Sequence, residues 1–201
     1  MLIHNRKIIY GDRLSYIPGN HLMVKHWRGF YINRKIFIVY FYERYSDRIH
    51  DHWTPRPSRS IINPAYYASN GYIVFIPDIT YQNGHPGKSA YNAVVSGALD
   101  LSRKRYIDAD NIGIQGQSWG GYQVAYLVTQ TNIFKCAMAG APVSNMTSAY
   151  GGIRWGSGMS RMFQYEESQS RIGKTLWEDP LLYIENSPLF YADKVETPLL
   201  M

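Results

Sequence analysis

Residues 111–121 constrain this chain more than any other stretch. Asn111-Ile112-Gly113-Ile114 has the apolar pattern of a short strand, and it runs through Gln115 into Gly116-Gln117-Ser118-Trp119-Gly120-Gly121, with a helical pattern from Tyr122 onward. A Gly-x-Ser-x-Gly turn between strand and helix lifts the serine hydroxyl clear of the sheet edge. Gly116 and Gly120 fall where the strand end and the helix start crowd together, so a side chain at either would block the turn. Ser118 is the candidate nucleophile, and the N–H of Trp119 is expected to point at the oxyanion that forms when a serine attacks a carbonyl. An ordinary glycine-rich turn would account for the pentapeptide, but not for the strand before it or the double glycine and helix after it.

The rest of the chain fits that turn into a layered sheet. Residues 35–42 are apolar on both faces and rich in β-branched and aromatic side chains, which predicts a buried central strand. A long polar loop with Pro55 and Pro57 follows, then a short helix over 61–70, a second strand over 72–76, a loop, and a helix over 89–106 with Ala93, Val94, Ala98 and Leu101 on one face. After the serine turn come a helix over 122–130 and a strand over 136–140, then a helix near 159–169, a turn at Asp179-Pro180 and the start of another buried strand at Thr197-Pro198-Leu199-Leu200-Met201. Strands alternating with helices build a doubly wound, mostly parallel α/β sheet, and ligands sit at the C-terminal ends of its strands. Ser118, Tyr42, Asp78 and Val143 belong on that rim. With a serine elbow at its centre this is the α/β-hydrolase fold, expected here to break off before its last strands.

The N-terminal stretch reads differently. Residues 1–60 hold eleven Lys and Arg against four Asp and Glu, whereas 61–201 hold ten against eleven, so the formal charge of +6 belongs to the beginning of the chain. Residues 7–17 suggest a small hairpin around Gly11-Asp12, ended by Pro18-Gly19, and the division expected is 1–34 as hairpin and basic linker and 35–201 as a partial hydrolase domain. The basic, aromatic run over 21–31 would suit nucleic acid or an acidic lipid surface, but no nucleic-acid fold signature accompanies it and a solvated linker explains it equally well. Charges at Arg6-Lys7 are followed by Gly11-Asp12-Arg13 and not by an apolar core, so no secretory signal is visible. The longest apolar run, 36–42, is too short to span a bilayer, and compartment and oligomeric state stay open. The single cysteine, Cys136, allows no internal disulfide and is expected to pack in the core, as are Phe163, Tyr165 and Trp177.

Three segments together resemble one family. Gly116-Gln117-Ser118-Trp119-Gly120-Gly121-Tyr122, then Phe134-Lys135-Cys136-Ala137-Met138-Ala139-Gly140-Ala141-Pro142-Val143-Ser144, then Asn186-Ser187-Pro188-Leu189 leading to Val195-Glu196-Thr197-Pro198-Leu199-Leu200, resemble in order and spacing the catalytic domain of the prolyl oligopeptidase family of serine peptidases, including its dipeptidyl peptidase IV and acylaminoacyl-peptidase branches. The resemblance runs from about residue 35 to Met201. It implies hydrolysis of short peptides through an acyl-enzyme at Ser118, with no cofactor and no metal. It also implies that Tyr42 supplies the second oxyanion donor by its hydroxyl, and that Tyr150 and Trp155 line the primary specificity pocket. The chain departs from the family at Asp78-Ile79-Thr80-Tyr81, where many relatives carry Asp-Gly-Arg-Gly, so that arginine's role does not transfer.

Serine hydrolysis needs a base and a carboxylate to orient it, in this fold in the chain order Ser, Asp, His. All six histidines, His4, His21, His26, His50, His52 and His85, precede Ser118. The triad Asp and His are therefore expected beyond Met201, and a polypeptide of 1–201 alone is expected to be inactive and poorly soluble. The elbow chemistry does not separate amide from ester, so an esterase of the same fold, or an inactive hydrolase fold used for binding, stays open beside the peptidase. His50-Asp51-His52 lacks a third ligand at metal-binding spacing, and Gln82–Ser89 fails as a phosphate loop because Gln82 stands at its first glycine and Pro86 removes a donor.

Overall fold

The computed structural model describes residues 34–201 in full, together with the backbone of three strands in the N-terminal stretch: β1 (Arg6–Tyr10), β2 (Ser15–Tyr16) and β3 (Leu22–His26). The turns expected at Gly11-Asp12 and Pro18-Gly19 lie outside the described residues, as does most of the basic run over 21–31. Within that run, where a linker is expected, β3 pairs antiparallel with the second central strand, Leu22 opposite Pro77 and Val24 opposite Phe75.

The main elements are β4 (Lys35–Tyr40), α1 (Pro64–Ser69), β5 (Ile73–Pro77), α2 (Pro86–Ser102), β6 (Ile107–Gln117), α3 (Trp119–Val128) and β7 (Cys136–Gly140). They are followed by α4 (Met146–Tyr150), β8 (Ile153–Arg154), β9 (Met159–Ser160), α5 (Met162–Glu166), α6 (Pro180–Glu185) and β10 (Leu199–Leu200). The sheet runs β3-β5-β4-β6-β7-β10 with β1 and β2 beyond β3, and its pairs from β5 to β10 are parallel. Register is tight in the middle, where Ile38 lies opposite both Val74 and Gly113, and Ile114 opposite Val39 and Ala137. This is the doubly wound α/β-hydrolase sheet.

Strand alternation divides the core. Phe37, Val39, Ile73 and Phe75 turn to the face covered by α2 and α3, where they pack with Val94, Ala98, Leu101, Val124 and Leu127. Tyr40, Val74 and Ile76 turn the other way and pack with Ile62, beside α1. Helix starts follow their sequence signals: Asn63 accepts the Tyr66 N–H at 3.0 Å ahead of Pro64, and Pro86 opens α2 where its missing N–H costs nothing. That proline is why α2 begins ahead of the residue expected from apolar spacing alone.

Three expectations are corrected. Cys136 is exposed, because on β7 the buried positions are Ala137 and Ala139 and the cysteine sits on the alternate face. Phe163 and Trp177 are exposed as well, whereas Tyr165 is buried. The helix expected over 159–169 shrinks to α5, since Gly158, with φ of +69°, closes a β8–β9 hairpin that uses Met159 and Ser160 as strand.

Burial of tyrosines has a consequence for stability. Loss of hydration pushes the hydroxyls of Tyr40, Tyr81 and Tyr122 above the ordinary phenol range. Unfolding exposes them at a pKa of about 10, so above pH ~10 the unfolded chain binds fewer protons than the folded one and stability falls by about 1.4 kcal/mol per pH unit for each such tyrosine. The melting temperature of the full-length protein is expected to fall steeply between pH 10 and 11.5, as followed by circular dichroism. A flat profile to pH 11 would mean these rings are hydrated in the fold.

Candidate active site

Ser118 stands between β6 and α3 in the left-handed region, with φ of 58° and ψ of −111°, and it is exposed to solvent. A non-glycine residue held there costs on the order of 1–3 kcal/mol, so the surroundings must over-determine it. They do so by two hydrogen bonds and two close backbone approaches. The Ser118 N–H donates to the carbonyl of Gly140 at 2.7 Å, and the Ser118 carbonyl accepts from the Tyr122 N–H at 2.9 Å. A Cβ at Gly116 would collide with the carbonyl of Gly120, and one at Gly120 would come within 2.5 Å of the carbonyl of Phe41. Strand β6, helix α3 and the end of β4 are thus wedged together at the serine.

Trp119 is the first residue of α3, so its N–H has no intrahelical acceptor. Its ring is buried, stacked on Tyr122 at 4.5 Å between centroids, which fixes the direction of the first helical turn. The indole N–H donates to the hydroxyl of Tyr81 at 2.9 Å, the Gln123 amide donates to the same oxygen, and that hydroxyl donates to the carbonyl of Tyr42 at 3.2 Å. One partly buried phenol therefore joins the serine helix to the backbone of Tyr42. Burial holds the Tyr81 proton on at every ordinary pH.

Tyr42 is half-buried at the end of β4, packed against the cluster that contains Trp119 and Tyr122. The loop that carries it is fastened from below. Asp78 Oδ1 accepts the N–H groups of Tyr45 at 2.7 Å and Ser46 at 3.1 Å, and the Glu43 carbonyl accepts the Ile79 N–H at 2.9 Å. On its outer side Glu43 pairs with Arg171 at 3.1 Å, and the Arg171 guanidinium lies 4.6 Å from the centre of the Tyr81 ring. Val143, on the loop after β7, packs partly buried against the same cluster.

The structure brings Ser118, Trp119, Gly116, Gly120 and Tyr42 together. Tyr150 joins the same aromatic cluster, buried, with its hydroxyl bonded to Glu166; burial, and after it the Glu166 bond, raises its pKa. Trp155 is fully exposed beyond β8 and belongs to no cluster. Among the described residues no group of three or more His, Cys, Asp or Glu side chains is gathered for a metal. His85 does have a carboxylate partner, Glu185 at 3.2 Å. It precedes Gly87, whose added Cβ would meet the ring of Tyr126, eight residues beyond Ser118 and so ~12 Å up the axis of α3. That places the pair away from the serine.

Sequence reasoning missed Tyr81, Gln169 and Arg171. Tyr81 could have been suspected from its place in the loop after β5. Gln169 and Arg171 lie in a segment without periodicity, and nothing local marks them.

Comparison with known proteins fits this geometry. Residues 57–201 match the prolyl oligopeptidase family. This chain belongs to that family. It is 34% identical over 120 residues to the uncharacterized peptidase YuxL of Bacillus subtilis, an alignment that takes in 59% of this chain and 17% of that one. It is 28% identical over 167 residues to dipeptidyl-peptidase 5 of Porphyromonas endodontalis, taking in 69% of this chain and 21% of the other. The chain thus spans about a fifth of the length of these curated relatives. Among solved structures, the acylaminoacyl peptidase of Pyrococcus horikoshii superposes with a TM-score of 0.66 at 20% identity, covering 93% of this chain and 29% of that one, which speaks for the fold.

Proposed function

We propose that the full-length protein is a serine peptidase that cleaves short peptides through an acyl-enzyme at Ser118. The observation that carries this is the strained, solvent-exposed Ser118 at the start of α3, beside a free Trp119 N–H and the loop of Tyr42. In the reaction Ser118 Oγ bonds to the scissile carbonyl carbon as its proton passes to a histidine base. The carbonyl oxygen becomes an oxyanion that accepts from the Trp119 N–H and the Tyr42 hydroxyl. Collapse breaks the C–N bond, the amine leaves with the proton, and water then hydrolyses the ester by the same path. Base and orienting carboxylate come from residues outside 1–201, and Tyr150 belongs to the wall of the substrate pocket.

Short peptides are the substrates favoured by the family to which the chain belongs and by the names of its relatives, dipeptidyl-peptidase 5 among them. The test is labelling of the full-length protein with a fluorophosphonate, with the adduct mapped by peptide sequencing, followed by turnover of matched peptide amides and esters. An adduct on Ser118 and cleavage of the amide are expected. No labelling would sink the enzyme reading, and ester cleavage without amide cleavage would replace the peptidase by an esterase.

A further inference from the structure

We propose that Gln169 is a positioning residue that aims the Tyr42 hydroxyl proton at the oxyanion, as the last member of a one-way hydrogen-bond relay; this rests on the reading of Tyr42 as an oxyanion donor. The relay starts at Arg154, whose Nη2 donates to Gln164 Oε1 at 2.6 Å. Gln164 Nε2 donates to Gln169 Oε1 at 2.8 Å, and Gln169 Nε2 donates to the hydroxyl oxygen of Tyr42 at 2.7 Å.

The direction of this relay follows from its first member. A guanidinium has only donors, so Gln164 must present its oxygen to Arg154 and its nitrogen onward. Gln169 must then do the same. A tyrosine hydroxyl carries one proton, and an oxygen already accepting from an amide keeps that proton free for another acceptor. Among the described residues no acceptor is paired with it. Each donated bond also polarises the next, which makes the terminal O–H a better donor to a developing negative charge.

The scaffold around Gln169 is built to hold it. Gln164 is buried, and the segment after α5 is folded back on it through Ser170 N–H to the Gln164 carbonyl at 3.0 Å and Ile172 N–H to the Tyr165 carbonyl at 2.9 Å. Arg171 then fastens the tip to the Tyr42 loop: its Nη1 donates both to the Gln169 carbonyl at 2.6 Å and to Glu43 at 3.1 Å. Arg171 itself has φ of 52°, and the other positive-φ non-glycine residues among those described are Ser118 and Ala141, both on the same rim. Strain of this kind gathers where geometry is used.

The test compares Gln169→Leu, Gln169→Glu, Tyr42→Phe and the two double variants in the full-length protein, with melting temperatures taken alongside. Removing the amide donor is expected to lower kcat about 10-fold with KM within about twofold. Gln169→Glu keeps the size but can only accept, so the Tyr42 proton turns toward it and kcat falls about 100-fold. In the Tyr42→Phe background both Gln169 substitutions are expected to have no further effect. A purely structural role would make the near-isosteric Glu the milder change and would leave the same loss in both backgrounds, and either result overturns the relay. Should Tyr42→Phe itself leave kcat unchanged, the oxyanion reading of Tyr42 fails. Should Tyr42→Phe be impaired while Gln169→Glu matches wild type at an unchanged melting temperature, only the relay fails.

Discussion

Ser118→Ala in the full-length protein is expected to lower kcat for a peptide substrate about 10⁶-fold, leaving roughly 10³- to 10⁴-fold over the uncatalysed rate from the oxyanion donors and binding. The loss is that large because covalent catalysis cannot be shared out: without the Oγ there is no acyl-enzyme, and a base that would have acted on the serine has nothing to deprotonate. KM should change little, since the hydroxyl contributes mainly to the transition state. The backbone at Ser118 supplies a second readout. Alanine inherits the φ of 58°, whereas Ser118→Gly removes the strain. The glycine variant should therefore be as inactive as the alanine one and more stable by about 1 kcal/mol, seen as a higher denaturant midpoint. Retained turnover in the alanine variant would place the nucleophile elsewhere. Equal stability of the two variants would mean that the elbow is not strained in the whole protein.

Tyr42→Phe is expected to cost about 10²- to 10³-fold in kcat, the usual effect of deleting one preorganised oxyanion donor. The substitution keeps the ring, and with it the packing of Tyr42 against the Trp119–Tyr122 cluster. It also leaves the backbone carbonyl that accepts from Tyr81. The donor lost is the hydroxyl alone, so stability should change by less than about 1 kcal/mol. Binding of a boronate that mimics the tetrahedral intermediate should weaken by the same factor as kcat/KM, while binding of a non-reactive peptide analogue stays unchanged. An unchanged kcat would show that the oxyanion is served by backbone donors only. A large loss of stability would instead assign the hydroxyl to the fold, through its bond from Gln169.

The two halves of this site were legible to very different degrees. Residues 111–121 announce themselves because the elbow is a local object: a strand, a turn that tolerates only glycine at two places, and a helix, all within eleven consecutive residues. The sheet was readable for a similar reason, since period-2 and helical patterns are written along each element. Tyr42 came into view through the family resemblance, and the physical support for its place is the close approach of Gly120 to the Phe41 carbonyl. That contact joins residues far apart in the chain, which no local pattern can encode. The same limit explains Cys136, Phe163 and Trp177. Their hydrophobic character is a property of the residue, whereas exposure depends on which neighbouring element covers each face.

What the sequence by itself determined is the elbow, the alternation of strands and helices, and hence the α/β-hydrolase sheet with Ser118 at its rim, because each is set by short-range sterics and periodicity. Only the tertiary structure decided that Tyr81 joins the serine helix to the Tyr42 loop and that Arg171 fastens the segment after α5 to Glu43. It alone brought Gln169 within 2.7 Å of the Tyr42 hydroxyl. Those contacts depend on hydrogen-bond geometry between residues up to 128 positions apart, and such geometry exists only once the sheet has gathered its loops on one edge.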